Sequence, residues 1–210
     1  MSGTLVKICG LSTPDTLAAA VAAGASHVGF VHFAKSPRHL ALDEAAALRR
    51  QVPSHVKAVL LLVNPDAALL AEAVRTVAPD VVQFHGAEPP ETLARFRAET
   101  GIAAWRAMAV RDAASLAHVA AFRGAADRVL LDAPATALPG GNGTAFDWRL
   151  LAGWQAPLPW GLAGGLAPAN VADAIRLTSA PLVDTSSGVE RGPGLKDVDK
   201  IAAFCKAARL

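Results

Sequence analysis

Short apolar runs alternate with longer stretches of helical periodicity along nearly the whole chain. The first run, Leu5 to Cys9, puts Val6 and Ile8 on one face and Lys7 and Cys9 on the other, because strand side chains alternate. It breaks at Gly10. Ser12-Thr13-Pro14-Asp15 then reads as a helix start, with a hydroxyl cap and an early proline, and the alanine-rich run to Ala23 is closed by Gly24. Further strands are predicted at about residues 27 to 31, 57 to 63, 80 to 84, 102 to 109, 128 to 132, 158 to 162 and 181 to 184. Helices are predicted near 43 to 51, 66 to 77, 89 to 100, 112 to 121, 146 to 152, 168 to 176 and 197 to 209.

With the first pair this makes eight strand and helix units, each about 22 to 30 residues long, the size of a compact βαβ step. Strict alternation means a parallel sheet, either open or closed. No glycine fingerprint of the dinucleotide type follows the first strand, and eight units suit closure, so the expected fold is a single α/β domain over residues 1–210, a (βα)8 TIM barrel with short loops.

Composition narrows the partners. A hydrophobic content of 52% in 210 residues supplies a sizeable core, and a formal charge of +2 with scattered basic residues does not make a nucleic-acid footprint. There is no signal-peptide pattern and no apolar run of about 20 residues, so no membrane is expected and the location is read as cytoplasmic. Cys9 and Cys205 lie near opposite ends of the chain, which is not a disulfide framework, and Cys205 is read as helix core. No histidine or cysteine pair has metal-ligand spacing, so neither a metal nor a cofactor is implied.

In such a barrel, chemistry gathers where the strands end. Cys9 beside Lys7 is either a base whose thiolate the lysine favours or a small core hydrophobe. Asp132 ends an apolar strand just before Ala133-Pro134; it either caps a loop or presents an acid to the mouth, and opposite a thiolate it suits proton transfer at a carbon next to a carbonyl or imine. Gly164-Gly165 and Asp184-Thr185-Ser186-Ser187-Gly188 follow the last two strands, the slots where barrels hold phosphate on backbone amides. Neither loop contains lysine. Arg38, after Ser36-Pro37, either presents its fork to a carboxylate or is an ordinary solvated arginine. His85, in Gln83-Phe84-His85-Gly86, is either a hydrogen-bonding group in the site or a satisfied strand-end histidine.

Together, Lys7-Ile8-Cys9-Gly10, Gly29-Phe30-Val31 leading to Lys35-Ser36-Pro37-Arg38, Val82-Gln83-Phe84-His85-Gly86, Leu131-Asp132, Gly143-Thr144-Ala145-Phe146-Asp147-Trp148, Ala163-Gly164-Gly165-Leu166 and Asp184-Thr185-Ser186-Ser187-Gly188-Val189-Glu190 resemble the phosphoribosylanthranilate isomerase family of tryptophan biosynthesis. The motifs come in the family's order, from Lys7 to about Asp197. The chain departs from the family's usual pattern at His32-Phe33-Ala34, at Asn142 and at Thr185. The resemblance implies an Amadori rearrangement of N-(5'-phosphoribosyl)anthranilate to 1-(o-carboxyphenylamino)-1-deoxyribulose 5-phosphate, with Cys9 as base and Asp132 as acid. It places the anthranilate carboxylate on Arg38 and the phosphate on Gly164, Gly165, Ser186, Ser187 and Gly188, with His85 and Asp184 also on the substrate side. The expected partner is a small phosphorylated substrate, and the expected assembly is a monomer or homodimer. Two other readings compete: an isomerase for another sugar-phosphate aminoaldose, a class that uses paired aspartates, and a non-catalytic barrel that binds a phosphorylated metabolite.

Overall fold

Eight strands follow one another around a closed parallel barrel in a computed structural model that describes residues 3–134 and 146–209. They are β1 (Leu5–Cys9), β2 (His27–His32), β3 (Lys57–Leu62), β4 (Val81–Phe84), β5 (Ala103–Ala109), β6 (Arg128–Asp132), β7 (Trp160–Leu162) and β8 (Leu182–Thr185). The barrel closes where β1 pairs with β8, from Leu5 opposite Leu182 to Ile8 opposite Thr185. Asn142 and the Gly143-Thr144-Ala145 part of the family motif lie outside the described residues.

The helices are α1 (Pro14–Ala22), α2 (Leu42–Arg49), α3 (Ala67–Val77), α4 (Pro90–Thr100), α5 (Ala113–His118), α6 (Val171–Thr178) and α7 (Val198–Ala207). Their starts follow the side-chain chemistry expected of caps. The Thr13 hydroxyl accepts from the Thr16 N–H at the start of α1, and the Asp66, Asp112 and Asp197 carboxylates do the same for α3, α5 and α7. One predicted helix differs. Between β6 and β7 the described residues hold only a 3₁₀ turn over Trp148–Leu151, capped by Asp147 and followed by Gly153 at φ 74°, so the segment reverses before an α-helix can propagate. A short antiparallel hairpin, β9 (Glu190–Gly192) and β10 (Leu195–Lys196), follows β8 and was not expected. Its turn, Gly192-Pro193-Gly194, carries a signal for chain reversal that the strand and helix alternation obscured.

Alternation of side chains divides the interior in two. Outward-facing Ile8, Phe30, Leu60, Phe84 and Leu131 pack under the helices, together with Phe204 and the fully buried Cys205 of α7. Inward-facing Val59, Val81, Trp105, Leu130 and Leu182 fill the floor of the barrel. Lys7 stands above that floor with no exposed surface. The barrel is therefore filled below and open only above, which confines chemistry to one mouth.

His27, at the start of β2, is also inward and buried; its ring packs at 5.0 Å from Trp105 and its Nδ1 lies 2.8 Å from the Ser26 hydroxyl. Burial first, and then the Lys7 and Arg128 charges, lower its pKa from 6.5 to about 4. The unfolded chain therefore binds a proton at a pH where the fold does not, and stability conferred by neutral His27 is present above pH 6.5 and lost on acidification toward 4. At about 1.4 kcal/mol per unit the loss is about 3 kcal/mol. Urea unfolding at pH 7 and pH 4 should show His27→Gln losing about 2 to 3 kcal/mol less than the parent across that interval. Equal losses would mean that His27 does not carry the acid sensitivity.

Candidate active site

Cys9 and Asp132 end β1 and β6 and face the same mouth, a cavity of about 620 Å³ that Arg38, His85, Asp184 and the loops after β7 and β8 also line. Cys9 lies against β2 at Gly29, where a β-carbon would stand 2.9 Å from its sulfur. Any larger residue at position 29 would displace the thiol.

Directly below the thiol, Lys7 Nζ donates to both oxygens of Asp184, at 3.0 and 2.9 Å, across the β1–β8 seam. Those contacts are the geometry of an ionised pair. Burial alone would release the proton of Lys7, and Asp184 outweighs it, so the ammonium is held above its ordinary range. This bears on Cys9. Burial pushes the thiol up, Lys7 pulls it down by less, and Asp184 adds to the rise. The expectation that Lys7 makes Cys9 a ready thiolate is thus corrected: most of the lysine's charge is already answered by Asp184, and the buried sulfur rests as a thiol.

Asp132 Oδ1 accepts from the Ala133 N–H at 2.8 Å, while Oδ2 lies 3.5 Å from His85 Nε2. Gln83, buried beside them, has its Nε2 3.1 Å from His85 Nδ1. A Gln83 N–H donated to Nδ1 places the ring proton on Nε2, facing the Asp132 carboxylate. His85 is therefore neither a solvated residue nor an isolated one; it sits between the fixed amide and the acid.

The glycines do two different things. Gly164 and Gly165 have φ of 80° and 67°, a left-handed pair, and a β-carbon at 164 would stand 2.4 Å from the Ala133 nitrogen and 3.0 Å from Asp132 Oδ1. They bend the loop after β7 tightly against the acid. Gly188 does not line the mouth: a β-carbon there would stand 1.9 Å from the Leu166 carbonyl oxygen, so it lets the two glycine-rich loops touch. Its lack of a side chain is thus required by packing, whatever its backbone amide offers a phosphate. Ser186 and Ser187 line the mouth, and the Ser186 hydroxyl donates to the Cys9 carbonyl at 3.1 Å.

Arg38 is 9% exposed, which excludes the solvated reading. Its Nε and Nη2 donate to Glu190 Oε1 and Oε2 at 2.7 and 2.8 Å. Lys196, whose side chain has no exposed surface, donates to Glu190 Oε1 at 2.6 Å and to the Ser186 carbonyl at 3.0 Å. Neither Glu190 nor Lys196 carried a role in the sequence reading, because their proximity depends on the hairpin turning back. The loop after β8 contains no lysine of its own, but Lys196 reaches it from ten residues later in the chain.

The family model described as N-(5'-phosphoribosyl)anthranilate (PRA) isomerase matches residues 6–207. A curated protein of Erythrobacter litoralis named N-(5'-phosphoribosyl)anthranilate isomerase is 59% identical over 206 residues, covering 98% of this chain and 99% of that protein. The crystal structure of phosphoribosyl anthranilate isomerase from Thermotoga maritima superposes with a TM-score of 0.89 at 34% identity over 98% of each chain. A crystal structure of phosphoribosyl anthranilate isomerase in complex with reduced 1-(o-carboxyphenylamino)-1-deoxyribulose 5-phosphate gives a TM-score of 0.86 at 33% identity, again over 98% of each chain.

The Lys7–Asp184 pair can be tested by removing one partner and then both. Lys7→Met leaves a buried carboxylate unanswered and should cost about 3 to 5 kcal/mol of stability. The double variant Lys7→Met/Asp184→Leu removes both charges and should recover most of that loss in urea or thermal unfolding. If the double variant is as unstable as the single one, the loss comes from packing and not from the stranded charge.

Proposed function

The chain belongs to the N-(5'-phosphoribosyl)anthranilate isomerase family, whose enzymes carry out an Amadori rearrangement in tryptophan biosynthesis, and from that premise we propose how its own residues perform the reaction. The observation that supports the assignment of roles is the pairing of one thiol and one carboxylate at a single mouth, with an arginine fork and two glycine- and serine-bearing loops around them. The aminoaldose N-(5'-phosphoribosyl)anthranilate lies with its phosphate toward the loops containing Gly164, Gly165, Ser186 and Ser187, and its carboxylate toward Arg38. Asp184 lines the same mouth on the substrate side while both its oxygens accept from the Lys7 ammonium.

Asp132 gives its proton to the ribose ring oxygen as the bond from that oxygen to C1' breaks, and the anilino nitrogen supplies the electron pair that makes C1' an iminium. Cys9, as thiolate, removes the C2' proton; the C2'–H electrons form the C1'–C2' double bond and neutralise the nitrogen, giving an enolamine. The Asp132 carboxylate takes the enol O–H proton as the Cys9 thiol gives its proton to C1', so the ketone product forms and both groups return to their starting states. The iminium makes the C2' proton acidic, so ring opening precedes its removal. Ionised Cys9 is the minor form in a buried site that holds the thiol up, and the facing Lys7 and Lys196 charges keep that form within reach. His85 Nε2, 3.5 Å from Asp132, steadies the carboxylate that forms when the acid has given up its proton. All these steps use side chains of a single domain spanning residues 1–210.

Consumption of freshly made phosphoribosylanthranilate, followed by its fluorescence, tests the proposal. Cys9→Ser should nearly abolish turnover, because a serine hydroxyl is far too weak a base at neutral pH. A folded Cys9→Ser enzyme retaining more than about a tenth of turnover would remove Cys9 as the base, since that is under about 1.4 kcal/mol of barrier. Asp132→Asn should lose at least about 100-fold, with residual activity from slow unassisted ring opening. Arg38→Lys should raise KM with the fold unchanged, because a point charge does not reproduce a planar fork; an unaltered kcat/KM would remove Arg38 from the substrate.

A further inference from the structure

We propose that the β9–β10 hairpin, acting through Glu190 and Lys196, sets the plane of Arg38 and ties it to the phosphate loop, which makes Glu190 a positioning residue for recognition of the aromatic carboxylate. The inference rests on the roles proposed above for Arg38 and Ser186 and adds to them two residues from an element outside the barrel.

The geometry that carries it is a chain of buried contacts. Glu190 holds the Nε–Nη2 edge of Arg38 with two bonds, at 2.7 and 2.8 Å. A planar ion bound along one edge by two parallel bonds has lost its side-chain rotation, so the plane of the guanidinium is fixed. The stem of Arg38 is held too. Gly10, at φ 75°, lies so close that a β-carbon there would stand 2.6 Å from Arg38 Cδ. Gly194, in the hairpin turn, lies so close to the preceding residue that a β-carbon would stand 2.3 Å from the Pro37 carbonyl oxygen, and its N–H donates to Glu190 Oε2 at 3.3 Å. The hairpin therefore clasps the Pro37-Arg38 loop by backbone contact as well as by charge.

Lys196 extends the chain to the other end of the substrate. Its ammonium donates to Glu190 Oε1 at 2.6 Å and to the Ser186 carbonyl and hydroxyl oxygens at 3.0 and 3.2 Å, and Ser186 in turn donates to the Cys9 carbonyl. Burial opposes the charge on Glu190, but Arg38 and Lys196 more than compensate, and its carboxyl stays below the ordinary range. The carboxylate is thus a permanent anion shared by two cations, one serving each end of the substrate. Loss of its charge should loosen Arg38 and spare the proton-transfer groups, because neither Cys9 nor Asp132 receives a hydrogen bond from Glu190.

The test compares two substrates, phosphoribosylanthranilate and the carboxylate-free N-(5'-phosphoribosyl)aniline, on the parent, Glu190→Gln and Glu190→Asp. Glu190→Gln keeps size and hydrogen bonding but not charge. It should raise KM for phosphoribosylanthranilate at least tenfold with kcat changed less than about threefold, leave the aniline substrate within about threefold of the parent, and so erase most of the preference for the carboxylate. Glu190→Asp should restore part of that preference. Equal losses on both substrates, or no loss on either, would overturn the positioning role. If Glu190→Gln does not fold, as judged by its thermal transition, Glu190→Asp decides the matter by the same ratio. Failure of the parent to turn over phosphoribosylanthranilate would instead overturn the activity itself, an outcome that the ratio between substrates does not enter.

Discussion

The buried ion pair between Lys7 and Asp184 is the constraint on which the site depends. It joins the first strand to the last at the only seam of the barrel that local chain connection cannot hold, and it does so with two charges taken out of water. Such a pair adds little net stability compared with well-packed apolar residues, because desolvation offsets most of the attraction. Its consequence is specificity: a slipped β1–β8 register would leave an ammonium and a carboxylate separately buried, each costing several kcal/mol. The same register sets Cys9 two residues above Lys7, at the mouth.

That placement creates the opposition at the centre of the chemistry. Cys9 must be surrounded by protein to be aimed at one carbon, yet surrounding it removes the water that would stabilise its thiolate. The fold answers with cations that do not touch the reacting carbon. Lys7 lies beneath the sulfur, and Lys196 beyond it acts on the thiol more weakly. Each is also held by a carboxylate, Asp184 or Glu190, so its charge is shared between that partner and the sulfur. A partly answered charge at a fixed distance suits a base that must be released after each proton transfer.

The barrel itself was legible from the chain, since every strand expectation falls within a residue or two of the observed bounds. Cys9, Asp132, Arg38 and His85 were legible as strand-end and loop chemistry. What was not legible depended on contacts distant in sequence. The effect of Lys7 on Cys9 was misjudged because Asp184, 177 residues away, is the lysine's first partner. The packing demand on Gly188 was hidden because the Leu166 carbonyl it lies against is in a different turn. Glu190 and Lys196 were passed over because a charged residue after a strand usually faces solvent, and only the Gly-Pro-Gly turn brings them inward. The missing helix before β7 failed for a local reason: the four-residue turn Trp148–Leu151, soon followed by Gly153, is too short to pass the nucleation cost of an α-helix.

The arrangement also separates two chemistries that one barrel could host. An aminoaldose isomerase built on paired aspartates needs two carboxylates free to exchange protons. Here two carboxylates line the mouth, Asp132 and Asp184, but both oxygens of Asp184 accept from a fully buried ammonium, so protonating it would strand that charge. In the proposed reaction Asp132 is therefore the carboxylate that gives and regains a proton, with the Cys9 thiol as its counterpart. Proton transfer in this mouth therefore runs between unlike groups, one soft and buried, one hard and hydrogen-bonded, and a serine or an aspartate at position 9 would not inherit the balance that Lys7 and Asp184 impose on the sulfur.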